Sequence, residues 1–128
     1  MKIRVPISVG ELADKITILE IKKIKIKNNN DLREITKELK MLKDICKAKN
    51  ILNMKVKKEF QSLKKINLRL WSIEDKKRSH ESKKIFDHNF VRLARNVYIL
   101  NDKRAYIKRT INFLTGSNIK EIKSYKKY

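Results

Sequence analysis

The chain has 128 residues, with 34 Lys and Arg against 14 Asp and Glu, a formal net charge of +20, one cysteine and two glycines. That length makes one domain. The lone Cys46 excludes an internal disulfide and fits a reducing compartment, and two glycines exclude a Gly-rich phosphate loop. No run approaches the ~18 apolar residues of a membrane span, and the opening Met1–Pro6 lacks the apolar core of a signal peptide, so a cytoplasmic protein without a membrane partner is expected.

The charge invites a nucleic-acid reading that the residue types do not favour. Lysine outnumbers arginine 26 to 8, and Lys, Ile and Asn together make up 55 of the 128 residues. These are the amino acids of codons built from A and T alone, so an AT-rich genome produces this composition without selection for DNA binding. Readers of phosphate and base edges favour arginine for its bidentate fork. Here the lysines are spread along every segment, which describes a solvated surface better than a footprint. Nucleic acid is therefore a possible partner but not the favoured one.

In chain order, Ile3, Val5 and Ile7 alternate on one side of a short extended arm (residues 1–7), and Pro6 forces Val5 into an extended conformation. A lone strand is not stable, so the arm is expected to lie over the bundle or pair with a copy of itself. Ser8-Val9-Gly10-Glu11 then reads as a capping box. It opens a helix to about Lys27, striped by Leu12, Ile16, Leu19 and Ile26 and widened by Ile18 and Ile21. Asn28 to Asn30 read as a turn, with Asp31 and Glu34 repeating the capping logic. Leu32, Ile35, Leu39, Leu42 and Ile45 then trace an amphipathic helix to about Ala48. A break at Lys49–Asn53 rests on Asn50 and Asn53 alone.

A third helix is predicted from about Met54 to Lys83, with Val56, Phe60, Leu63, Asn67, Leu70 and Ile73 inward. Its end, from Lys76, is polar all round and is expected to project or fray. Asp87 caps a fourth helix, His88 to Thr115, about 42 Å long at 1.5 Å per residue, and Gly116 supplies the left-handed stop. Residues 117–128 form a basic tail. The fold class is all-α: a four-helix antiparallel bundle of helical hairpins, with two long C-terminal helices and a short extended N-terminal segment.

Candidate chemistry lies where polar residues intrude on apolar stripes. Asn101 and Arg104 interrupt the fourth helix, with Lys108 one turn on. Glu74 and Asp75 lie near the inward face of the third, and Asp14, Lys15 and Glu20 flank the stripe of the first. An antiparallel packing lets Arg104 meet Glu74 or Asp75 and lets Asn101 bond across the seam. The simpler reading of this cluster is a buried ion pair that fixes register. The sharper one is a polar pocket for a small anion, with Arg104 and Lys108 as its cationic side. Glu11 and Asp14 make half of a helical magnesium motif whose second half is missing, and His80 and His88 lack ligand spacing, so neither a metal nor a cofactor is implied. Cys46 reads as a half-buried thiol rather than a nucleophile.

Four stretches carry a family likeness. They are V-P-I-S-V-G-E-L-A-D-K-I-T-I-L-E-I-K (Val5–Lys22), L-W-S-I-E-D (Leu70–Asp75), F-V-R-L-A-R-N-V-Y-I-L-N-D-K-R-A-Y-I-K (Phe90–Lys108) and K-S-Y (Lys123–Tyr125). Together they resemble a family of short bacterial and phage proteins, common in marine genomes and classed as a domain of unknown function. The resemblance implies an all-helical domain and no established activity, cofactor or partner. Three readings follow. The first is a non-enzymatic module that forms a homodimer through its long third and fourth helices. The others are a basic protein that binds phosphates of nucleic acid, and a small anionic-ligand site around Arg104.

Overall fold

The computed structural model describes residues 1–128: helices α1 (Val9–Lys25), α2 (Asn29–Ala48), α3 (Met54–Lys83) and α4 (His88–Thr115), with no strand. The all-α bundle is the class that the periodicity predicts. Each helix starts on a side-chain oxygen that accepts a backbone N–H three residues on. Ser8 Oγ takes the Glu11 amide at 3.0 Å, Asn53 Oδ1 takes that of Val56 at 3.0 Å, and Asp87 Oδ1 takes that of Phe90 at 3.1 Å. Gly116 closes α4 at φ 63°.

Three local expectations change, while the break at residues 49–53 falls where it was expected. Asn28, not Asp31, caps α2, because its side chain accepts the Asp31 amide at 3.1 Å; Asn29 and Asn30 therefore lie in the first turn. The capping box of α1 is only half made, since the Glu11 carboxylate goes to Lys108 at 2.8 Å. The break after α2 is closed by Asn50 in the left-handed region at φ 50°, a conformation that asparagine tolerates without glycine. The N-terminal arm forms no strand and is not covered by the rest of the chain: Ile3 and Val5 are 79% and 69% exposed.

The helices are arranged around α1, which packs against all three others, while α3 and α4 pack on each other. One apolar cluster joins Leu12, Ile16 and Leu19 of α1 to Ile35, Leu39 and Cys46 of α2. A second joins Ala13 to Leu63 of α3 and Ile111 of α4, and Phe60 packs against both clusters. A helix buried on nearly every side must be apolar nearly all round, which explains the widened stripe of α1. Cys46 belongs to this core and is fully buried, and its burial pushes the thiol pKa up.

The outer half of the α3–α4 hairpin has no such support. Between Glu74 and Ile99 no residue is buried. The tip is closed by His80, whose Nδ1 lies 3.0 Å from the Ile85 carbonyl, and by a T-shaped contact of Phe86 and Phe90 at 5.2 Å. The polar end of α3 thus projects, and it remains helical to Lys83.

Gly10 sets how closely α1 can approach α4. Its amide donates to Asn112 Oδ1 at 2.7 Å, while Asn112 Nδ2 is buried without a partner. A Cβ at position 10 would lie 2.5 Å from the Lys108 carbonyl oxygen. Backbone oxygen cannot rotate away, so overpacking outweighs the roughly 1 kcal/mol that alanine gains over glycine in a helix. Gly10→Ala is expected to destabilise by about 2 kcal/mol in urea unfolding; an unchanged or higher midpoint would contradict this packing.

Candidate functional site

The site begins with Asp14, an acid on the buried side of α1 that is only 2% exposed. Asn67 of α3 donates Nδ2 to its Oδ1 at 2.9 Å and to Thr17 Oγ1 at 3.0 Å. From α4, Arg104 closes the group: Nε donates to Asp14 Oδ1 at 2.9 Å and Nη2 to Oδ2, a two-pronged bond matching the planar guanidinium to the carboxylate. Its Nη1 donates to Asn101 Oδ1 at 3.3 Å. Burial acts to raise the Asp14 pKa. The hydrogen bonds from Arg104 and Asn67 and the charges of Arg104 and Lys108 outweigh it and hold the carboxyl below its ordinary range.

One turn towards the α1 N-terminus, Lys108 Nζ bonds Glu11 at 2.8 Å and Glu121 of the tail at 3.3 Å. Burial acts to lower the Lys108 pKa, but the Glu11 bond together with the charges of Glu11, Asp14 and Glu121 outweighs it and raises the ammonium pKa. The tail runs back along α4. Lys123 Nζ lies 2.6 Å from Asp102 and 5.0 Å from the centre of the Tyr125 ring, and the Tyr128 ring meets that of Tyr98 at a tilt with centroids 4.8 Å apart. The Lys123 bond, with a lesser one from the Tyr128 hydroxyl, lowers the Asp102 pKa.

Between α4, the start of α1 and the tail lies a cavity of about 1280 Å³, open to solvent. Arg104, Lys108, Arg109, Lys123, Lys126 and Lys127 line it, against the four carboxylates of Glu11, Asp14, Asp102 and Glu121. Those four acids are all engaged by cations, whereas Arg109, Lys126 and Lys127 form no salt bridge. Nowhere in the molecule do three His, Cys, Asp or Glu side chains converge as a metal site would require.

Of the polar residues singled out from the sequence, Asp14, Asn101, Arg104 and Lys108 meet at this cavity. Lys15 is exposed, and Glu20 pairs with Lys64 and Lys43 at 3.4 and 3.8 Å, away from the cavity. Glu74 and Asp75 are exposed, with Glu74 on Lys77 at 3.3 Å. The expected partner of Arg104 is therefore replaced: Asp14 takes the place assigned to Glu74 or Asp75, because α1 presents an acid at the level of Arg104. Asn101 supports that arginine from one turn away on α4 instead of bonding across the seam. Asp102, Glu121 and Lys123 were not expected at the site, and only the K-S-Y stretch hinted that the tail takes part. Three of the four stretches that carry the family resemblance reach the cavity, through Glu11 and Asp14, through residues 97–108, and through Lys123–Tyr125; Leu70–Asp75 does not.

Removing one member of a buried pair strands the other charge. Arg104→Met is expected to cost about 3 kcal/mol, whereas Asp14→Leu combined with Arg104→Met recovers most of that loss in the same urea titration. The folded pKa of Asp14 is depressed, so its contribution to stability is complete above the unfolded value near ~3.9 and is lost as pH falls through the folded value. The double variant is accordingly expected to lose less stability than the wild type between about pH 5 and 2.

No curated protein and no solved structure matches the chain. A family profile does: that of DUF6165, a family of unknown function, matches residues 1–128, and the chain belongs to that family.

Proposed function

We propose that the protein is a non-enzymatic binder of a small anion, held in the cavity between α4, the start of α1 and the tail. The observation that carries this reading is the surplus of cations on one concave surface. Every acid there already has a cationic partner, yet Arg109, Lys126 and Lys127 have none, and Arg104 keeps guanidinium N–H groups beyond the three used by Asp14 and Asn101. The Asp14–Arg104 pair then has a second use. Its cost of burial is offset by its own hydrogen bonds, and it holds a fixed floor under the cations of the rim. Val97, Ala105, Tyr98 and Tyr125 add apolar and aromatic wall, as small-molecule sites require.

The test is a titration of the ¹⁵N-labelled full chain with inorganic pyrophosphate, read as amide shifts. Saturable shifts are expected at residues 97–109 and 119–128. Lys126→Gln with Lys127→Gln weakens binding several-fold, and Lys40→Gln with Lys43→Gln on α2 leaves it unchanged. Non-saturating shifts spread over the lysines of α2 and α3 would instead describe a diffuse polycation.

A second reading, homodimerisation through α3 and α4, draws on the projecting hairpin. Ile85 and Phe86 in the turn between the two helices and Val91 on α4 are 43%, 54% and 47% exposed there, where the hairpin outruns its support from α1. It expects a dimer mass by light scattering at micromolar concentration and a monomer for Val91→Glu; a monomeric wild type excludes it.

A further inference from the structure

Resting on the anion-site reading, we infer that the C-terminal segment is a strap whose Glu121 carboxylate occupies, on Lys108, the place that the ligand anion takes. The attachment of this segment is unlike that of any other part of the fold. Beyond Ser117, whose amide donates to the Asn112 carbonyl, no backbone-to-backbone hydrogen bond ties it to the body. Ser117 Oγ donates to the Ile119 carbonyl at 2.8 Å, which fixes the root of the strap, and the rest is held by side chains alone.

These holds fall into two groups. The distal one is a cluster on α4: Lys123 on Asp102 at 2.6 Å and the tilted contact of the Tyr98 and Tyr128 rings. The proximal one is a single bond, Glu121 to Lys108 at 3.3 Å. Lys108 does not need it. Its ammonium is already neutralised by Glu11 at 2.8 Å, a partner fixed on α1. Glu121 is a second carboxylate on one cation, and it comes from the only wall of the cavity that is not helical.

An incoming carboxylate or phosphate oxygen reaches the Lys108 ammonium, whose side chain is 10% exposed, by replacing Glu121, the partner carried on the non-helical tail. The exchange conserves charge at Lys108, so it costs no desolvated cation. It frees the strap between Ile119 and Ile122 while the Asp102 cluster keeps Lys126 and Lys127 near the mouth. The ligand class is thus a small molecule with a carboxylate or phosphate group, and the protein's own glutamate competes with it for the Lys108 ammonium. The apparent affinity of such a site is its intrinsic affinity reduced by the fraction of molecules in which the strap is open.

Two measurements on the full chain test this, with inorganic pyrophosphate and citrate as the phosphate and carboxylate probes. The first is the backbone order of residues 119–122 from heteronuclear NOEs, without probe and at saturation. The second is the affinity of Glu121→Gln against wild type, with circular dichroism confirming that both are folded. Loosening of these amides by either probe is expected. Glu121→Gln should show it without any probe and bind about threefold more tightly, the scale of one partly exposed ion pair. If wild type binds with its strap amides unchanged and Glu121→Gln binds no more tightly, the strap is overturned and the anion site stands. If neither folded protein binds either probe, the site fails and the strap with it.

Discussion

The bond between Asp14 and Arg104 is the constraint on which this molecule depends. A carboxylate that is 2% exposed survives on the buried side of α1 only because a two-pronged guanidinium and an asparagine amide replace the water it has lost. The three partners come from three helices, so satisfying one charge fixes the positions of α1, α3 and α4 together. Apolar clusters fill space without strongly preferring one register over its neighbour. The polar cluster prefers one, because a shift of a single turn would leave an acid or a base buried alone.

The same pair joins the core to the site. Arg104 faces Asp14 on one side and the cavity on the other, with Lys108 and Glu11 repeating the arrangement a turn away. Helix α1 reaches this position because Gly10 carries no Cβ to strike the Lys108 carbonyl. Fold and site are therefore a single construction, in which a close helix crossing brings two acids of α1 against two bases of α4. The tail completes the enclosure by adding both signs of charge to a surface that α1 and α4 alone leave open.

Much of this was legible in the sequence because local rules decide it. Asp87 and Gly116 mark the ends of α4 through side-chain capping and left-handed backbone, both readable within a few residues. Asn101 and Arg104 announced themselves as breaks in a stripe. The partner of Arg104 did not, since Glu74, Asp75 and Asp14 are chemically equivalent and only the angle at which α1 crosses α4 selects among them. Asn28 displaced Asp31 as the cap of α2 because several capping residues stood side by side and propensity does not rank them finely. Glu121 was invisible because a tail without helical period or turn signal gives no local clue that it folds back.

The central place of α1 has a consequence for how the chain comes together. The first helix to be made is the one whose contacts lie farthest away: Gly10 waits for Asn112, and Asp14 waits for Arg104, across sequence separations of 102 and 90 residues. As the ribosome releases the chain, α1 can pair at once only with α2, leaving its acid side in water until α4 emerges. Closing such long loops is entropically demanding and ties the docking of α1 to the synthesis of α4. Asp14, on that waiting face, becomes structural only once Arg104 arrives.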